Sequence, residues 1–275
     1  MDDRSQNILR LPHALRASDQ FGDRLRGRAP ALFLDYDGVL TPIVADPGAA
    51  TLDDNGRAAV QRAAEQMPVA VISGRDLEDV RSMVAIDRLA YAGSHGFDML
   101  LADGERERYG EEFLDELDEV EQELVEQLRG LDGVRLERKS FAVTVHTRQA
   151  RAPEFRERAQ QIVATVAQRH PHLKVTAGKE VEEFRPGIEW NKGRALTRLM
   201  AVLDLDDADY APIYVGDDIT DEDAFVAIAG IGIGVVVAGD EDRPTRADFR
   251  LDEPAETASL LHLLTTLAEE RSGAR

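Results

Sequence analysis

Five polar residues of this 275-residue chain sit beside glycine or other polar residues, just past short apolar runs or near a predicted helix start. They are Asp35, Asp37, Ser73, Lys192 and Asp217. Asp35 and Asp37 lie two apart in Asp35-Tyr36-Asp37-Gly38, so in extended backbone their side chains share a face. One carboxylate can attack phosphorus while the other handles the leaving-group proton. Asp217, in Gly216-Asp217-Asp218, adds a third carboxylate. Magnesium prefers oxygen ligands and keeps several waters, so a few carboxylate or carbonyl contacts suffice to hold it. Ser73, in Ser73-Gly74-Arg75, can donate to a phosphoryl oxygen, and Lys192 can supply a point positive charge there. A divalent metal and fixed cations lessen the repulsion between an anionic nucleophile and a phosphoryl group. Singly, each signal has an ordinary explanation: a turn for Asp-x-Asp-Gly and Ser-Gly, an N-cap pair for Asp217-Asp218, a solvated lysine for Lys192.

The elements that must position these residues strengthen the joint reading. Ala31–Leu34, Val69–Ile72, Leu89–Ala92 and Ile213–Val215 are short apolar runs, each closed by a polar loop, and read as buried parallel strands. Helical spacing separates them over 54–67, through Val84 and over 192–203. Further on, 221–229 is predicted helical, 233–237 a strand and 260–267 part of a final helix. Before Arg28 the chain is expected to form a helix and a linker. This alternation predicts an α/β fold with a mainly parallel sheet, where ligands bind beyond the carboxyl ends of the strands.

The middle of the chain changes character. Phe113, Leu117, Val120, Leu124 and Leu128 give one apolar face to an otherwise acidic helix. Strands are predicted over 134–139 and over 141–148, the second alternating as a half-buried antiparallel strand does. Pro153 opens another helix. A strand pair over 173–176 and 181–185 is expected to turn at Ala177-Gly178. The expected organisation is therefore a catalytic core of 1–106 and 186–275, with an inserted α+β domain over 107–185.

The order Asp-x-Asp, Ser, Lys, Gly-Asp-Asp resembles the haloacid dehalogenase superfamily of phosphatases. Its four motifs are matched by Leu34–Ile43, Val71–Arg75, Lys192 and Gly216–Phe225. The likeness narrows to the trehalose-6-phosphate phosphatases at Tyr91–Asp98, at Val145-His146 before Arg148, and at Glu183-Phe184-Arg185-Pro186 running into Trp190-Asn191-Lys192-Gly193. The resemblance implies a Rossmann-like core with a cap that closes over the sugar. It implies that Asp35 forms an aspartyl-phosphate and that Asp37 protonates the departing oxygen, then activates water. It implies Mg2+ on the Asp35 carboxylate, the Asp37 carbonyl and Asp217, with Asp218 and Asp221 holding the metal's waters. Ser73, Gly74, Arg75 and Lys192 would hold the phosphoryl group, and Glu137, Lys139 and Glu183 would hydrogen-bond trehalose. Without the resemblance, these last three read as the solvated face of a strand. Two positions depart from the pattern: Val39 where threonine is common, and Asn191 where aspartate is frequent. His95 is expected to hydrogen-bond backbone in its loop, and His146 to serve the sheet of the inserted domain.

Composition narrows the partners. The net charge of -20 argues against a nucleic-acid partner, which needs a basic footprint. The absence of cysteine excludes disulfides, thiolate metal sites and a cysteine nucleophile. Neither a signal peptide nor a membrane span is read from the sequence, so a cytoplasmic monomer acting on a small sugar phosphate is expected. The only lysines are Lys139, Lys174, Lys179 and Lys192, and this scarcity on an acidic chain suggests a high-salt cytoplasm. Competing expectations are a phosphatase of sucrose, glucosylglycerol or mannosylglycerate phosphate, a phosphomutase, and a non-catalytic regulatory module of the same fold.

Overall fold

Aliphatic runs that alternate Leu32 and Leu34 against Ala31 and Phe33 have no polar face, so they fold where both sides of a sheet are covered. The computed structural model describes residues 5–25, 27–44, 47–178, 180–206, 208–239 and 242–273. A short strand β1 (Gln6–Asn7) and helix α1 (Ser18–Leu25) precede β2 (Ala29–Leu34). Then follow α2 (Asp54–Gln66), β3 (Val69–Ile72), α3 (Leu77–Val84), β4 (Ala90–Gly93), β5 (Asp98–Leu100) and β6 (Arg106–Arg108). The middle holds α4 (Leu114–Gln127), β7 (Arg135–Lys139), β8 (Ala142–His146), α5 (Pro153–Arg169), β9 (Leu173–Gly178) and β10 (Val181–Pro186). After α6 (Lys192–Val202) come β11 (Tyr210–Gly216), α7 (Glu222–Ala227), β12 (Ile233–Val237), β13 (Pro244–Thr245), β14 (Phe249–Leu251) and α8 (Glu256–Gly273).

The chain divides into two compact units, Met1–Glu107 with Trp190–Arg275, and Arg108–Glu189. The first contains most of a sheet ordered β14-β12-β11-β2-β3-β4-β5-β6. From β14 to β4 every neighbouring pair is parallel, and β5 turns back antiparallel on β4. Leu32, Leu34, Val71, Ile213, Val215 and Val235 pack with Val60, Val80, Leu260 and Leu264 in one buried cluster. Burying each such side chain stabilises by roughly 1.5–3 kcal/mol, whereas helix propensities differ by only tenths per residue. The strands therefore fix where α2, α3 and α8 lie. After β2 the chain builds β3 and β4 on one side, then crosses to place β11, β12 and β14 on the other. The reversal falls between β2 and β11, and a crevice opens at such a point in an α/β sheet.

The second unit is a four-stranded antiparallel sheet, β7-β8-β10-β9, carrying α4 and α5. Leu117, Val120 and Leu124 of α4 meet Ile162, Val163 and Val166 of α5 over Val143, Val145 and Phe184. The predicted turn at Ala177-Gly178 is displaced: both residues belong to β9, pairing with Glu182 and Val181.

Candidate active site

Asp35 follows β2 and Asp217 follows β11, the two neighbouring strands at the reversal. The Asp35 amide donates to the Val215 carbonyl (2.9 Å), so the two strand ends are tied where the carboxylates emerge. Beside Asp35 stands Lys192, at the start of α6. Asn191 caps this helix by accepting from the Arg194 amide (2.9 Å), which is the bond an aspartate would make there. A cation at a helix N-terminus is disfavoured by the macrodipole. Here two carboxylates offset it: Lys192 Nζ donates to Asp35 Oδ2 (2.5 Å) and to Asp221 Oδ1 (2.7 Å). Lys192 and Asp221 are almost fully buried.

Asp221 is bonded through both of its carboxylate oxygens. Its Oδ1 accepts from Lys192 Nζ and from the Tyr214 hydroxyl (2.6 Å). Its Oδ2 accepts from the amides of Asp217 (2.8 Å) and Asp218 (3.0 Å). Four donors match the acceptor sites of a carboxylate, so Asp221 ties the loop to Lys192 and Tyr214. Asp218 caps the following turn by accepting from the Thr220 amide (2.7 Å). Tyr214 escaped the sequence reading because an aromatic residue in an apolar strand reads as core. Its ring does pack edge-on to Phe225, and only the hydroxyl carries the second task.

Asp35, Asp217 and Asp221 each offer an oxygen, and the three lie within 4.8 Å of one another. One buried lysine faces this concentration of negative charge. Burial pushes the Asp35 carboxyl up to about 7, with Lys192 opposing and Asp221 adding to the rise. Burial, then Asp35, Asp221 and Asp218, push Asp217 up to about 8. Burial alone would pull Lys192 down, but Asp221 and Asp35 hold its ammonium above the ordinary range. Two hard oxygen donors short of positive charge suit a small divalent cation. Gly38 leaves the space: its φ is +72°, and a Cβ there would lie 2.1 Å from Asp217 Oδ2.

The remaining predicted residues form a second group. Asp37 is held by a two-point pair with Arg75, Nε to Oδ2 at 2.7 Å and Nη2 to Oδ1 at 2.6 Å. Arg75 also lies over the Tyr36 ring. The buried Ser73 hydroxyl accepts from the Arg75 amide (3.2 Å) and retains its own hydrogen for another acceptor. Gly74 is covered by the His95 ring, 2.8 Å from where a Cβ would stand, and the His95 amide donates to the Ser73 carbonyl (2.8 Å). Val39 is fully buried, a place where a threonine hydroxyl would need a partner.

Glu137, Lys139 and Glu183 lie in the second unit. Glu137, Thr144 and Glu183 are directly opposite one another across β7, β8 and β10, on the face away from Val143 and Phe184. Lys139 Nζ approaches Glu183 Oε2 (3.5 Å), and Thr144 Oγ1 donates to the same oxygen (3.2 Å). The His146 ring bonds Glu137 Oε2 (2.7 Å), and this contact holds the Glu137 carboxyl below its ordinary range.

The family model described as trehalose-phosphatase matches residues 33–255. The chain belongs to the trehalose-phosphatase family. A trehalose-phosphate phosphatase of Mycobacterium tuberculosis is 41% identical over 270 residues, covering 96% of this chain and 68% of that protein. The chain spans only 20% of a longer relative from the same organism, described as an uncharacterized glycosyl hydrolase and also 41% identical. Among solved structures, the C-terminal domain of the Candida albicans trehalose-6-phosphate phosphatase superposes with a TM-score of 0.76 at 26% identity, covering 94% of this chain and 99% of that one. The C-terminal domain of the Candida albicans trehalose synthase regulatory protein has a TM-score of 0.69 at 14% identity, covering 93% and 99%, and shares the fold alone. The α/β fold with its mainly parallel sheet is thus the haloacid dehalogenase fold of the trehalose phosphatases. Since this fold also serves a regulatory protein, the catalytic reading of a trehalose-phosphatase chain must rest on its side chains.

Proposed function

We propose that this chain hydrolyses trehalose 6-phosphate to trehalose and phosphate through an aspartyl-phosphate on Asp35, with Mg2+ as cofactor. The observation that carries the reading is the meeting of Asp35 and Asp217 carboxylate oxygens within 4.8 Å, beside a buried Lys192 that Asp221 holds. The metal would be held by the Asp35 and Asp217 carboxylates and the Asp37 carbonyl, where it supplies charge neutralisation for the phosphoryl oxygens.

Asp35 attacks phosphorus, forming a P–O bond to its carboxylate as the bond to the sugar oxygen breaks. Asp37, which must leave its two-point pair with Arg75 and take up a proton before it acts, gives that proton to the sugar oxygen. It then takes a proton from the water that attacks phosphorus, which releases inorganic phosphate and restores the Asp35 carboxylate. Ser73 donates its hydroxyl hydrogen to a phosphoryl oxygen, and Lys192 places positive charge beside the nucleophile. Gly74 and Arg75 complete the phosphate loop. Asp218 holds the metal loop through its turn, and Asp221 fixes Lys192. Glu137, Lys139 and Glu183 offer two acceptors and a donor to the sugar hydroxyls, and a polar site of this kind rejects sugars that leave its groups unpaired. The names and sequence likeness of the relatives support trehalose as that sugar.

Neither a metal-thiolate nor a nucleic-acid reading suits a cysteine-free chain of net charge -20. No helix among the described residues is long and apolar enough to cross a membrane. We take the working form to be a cytoplasmic monomer, which light scattering of the purified protein checks for its oligomeric part.

The test is phosphate release with Mg2+ across trehalose 6-phosphate and the phosphates of sucrose, glucosylglycerol and mannosylglycerate. The highest kcat/KM is expected for trehalose 6-phosphate, with activity abolished by EDTA and in Asp35→Asn. A higher kcat/KM on another sugar phosphate overturns the substrate. Undiminished release from Asp35→Asn overturns the mechanism.

A further inference from the structure

The loop that carries Asp217 is held from two sides, and the second side is a segment with no catalytic motif. On one side Asp221 takes the amides of Asp217 and Asp218. On the other, Arg243 Nη2 donates to the carbonyls of the same two residues, at 3.1 Å to Asp217 and 2.8 Å to Asp218. The guanidinium is itself pinned, because its Nη1 bonds Glu222 Oε1, and Glu222 Oε2 accepts from the Arg246 amide (2.7 Å). Arg243 and Glu222 are both more than four-fifths buried.

The arginine segment is anchored in turn by the start of the chain. Gln6 and Asn7 pair with Thr245 and Pro244. The Ile8 amide donates to the Arg243 carbonyl (3.1 Å), and the Leu9 amide and the Asn7 side chain donate to the Asp242 carboxylate (3.1 Å each). The family match covers residues 33–255, so Arg243 and Glu222 lie within it and residues 6–9 lie outside.

We propose that Arg243 is a positioning residue for the metal loop, and that residues 6–9 hold it in place. The inference rests on the reading of Asp217 as a metal ligand. A planar fork reaches both carbonyls and Glu222 at once, which a lysine's single nitrogen cannot do from one place. Arg243 bonds carbonyls and leaves the Asp217 carboxylate free, so its effect is on where that carboxylate stands. Groups that orient a metal ligand in this way typically change metal affinity or activity by about 10–100-fold when removed.

The experiment is calorimetric titration of Mg2+ into the metal-stripped protein, comparing the unaltered chain with Arg243→Met, which keeps the apolar stem. The Mg2+ dissociation constant is expected to rise by about tenfold or more. The KM for trehalose 6-phosphate at saturating Mg2+ should stay within about twofold of that of the unaltered chain, a split that general loosening of the fold would not give. Asp242→Ala, at an exposed carboxylate bonded to Asn7 and Leu9, should weaken Mg2+ in the same direction by less, and it carries the test if Arg243→Met fails to fold. Equal Mg2+ affinity in the unaltered chain and the variants overturns the brace alone. Absence of Mg2+ binding by the unaltered chain overturns the metal site and the brace together.

Discussion

Two carboxyls whose ionisation is pushed up towards neutrality give the metal-free chain an unusual stability profile. Asp35 and Asp217 ionise at 3.8 in an ordinary setting but at about 7 and about 8 here. Between pH 4 and 8 the folded chain therefore binds more protons at these positions than the unfolded chain does. Stability rises with pH only where the unfolded state holds more protons, so the contribution of this pair falls as pH climbs and levels off above about 8. Asp221, shifted downward, and Lys192, shifted upward, keep their charges throughout that window. A cation that binds the ionised forms reverses the penalty. In EDTA, the melting temperature should drop between pH 5.5 and 8.5, and the rise caused by Mg2+ should be larger at 8.5 than at 5.5. A Mg2+ effect independent of pH would refute the assignment of these shifts. Tyr214 offers a separate check. Its hydroxyl donates to buried Asp221, so Tyr214→Phe leaves a carboxylate oxygen short of one donor. A loss of about 1–3 kcal/mol in denaturant unfolding is expected. A change under about 0.5 kcal/mol, as at an indifferent surface position, would contradict that bond's role.

The loops at the strand ends set what each element tolerates. Gly38 turns the chain just after β2 with φ +72°, and it faces Asp217 across the reversal of strand order. Alanine there must adopt a left-handed backbone, costing roughly 1–2 kcal/mol, and also push Asp217 aside. Gly38→Ala should thus abolish Mg2+-dependent phosphate release while lowering stability only modestly, read by thermal melting beside the assay. Retained activity would show that the loop relaxes around the methyl. This junction was visible in the sequence because an apolar run, a carboxylate pair and a glycine follow one another. An apolar run closed by polar residues and a glycine likewise exposed Ser73 and Asp217. Shorter elements left no such trace. Phe249–Leu251 is a strand only because β12 lies beside it, and three residues are too few for a period. Asp98–Leu100 reads as loop, yet the buried Asp98 is paired with Arg106 and the segment extends the sheet. Arg243 was illegible for the corresponding reason: its partners are the carbonyls of residues 25 and 26 positions away, and backbone atoms have no sequence signature.

At the scale of the whole molecule, charge is the dominant unbalanced quantity. The chain carries 53 acidic residues against 33 lysines and arginines. Many exposed acids are paired, as in Arg138 with Asp118 and Arg169 with Glu123. Such surface pairs contribute a median of about 0–1 kcal/mol each. The surplus has no partner of its own kind. Helix α4 carries Asp115, Glu116, Asp118, Glu119, Glu121, Glu123 and Glu126 and no basic residue, so its ion pairs reach to other elements, Asp118 and Glu121 to Arg138 and Glu123 to Arg169. Acids three and four apart on a helix destabilise it by tenths of a kcal/mol per pair. Salt weakens attraction and repulsion alike, and its screening length falls from about 10 Å at 0.1 M to about 3 Å at 1 M. Close pairs at 2.5–2.7 Å are screened least, and the diffuse repulsion of the remaining charge is screened most. Net repulsion should therefore be the larger loss. Between 10 mM and 1 M NaCl, in EDTA so that the metal site does not contribute, the melting temperature should rise, by roughly 2–4 °C for each kcal/mol of repulsion removed. Melting that falls with NaCl would mean that the ion pairs outweigh the surplus, and the acidic, lysine-poor surface would then give no advantage in a high-salt cytoplasm.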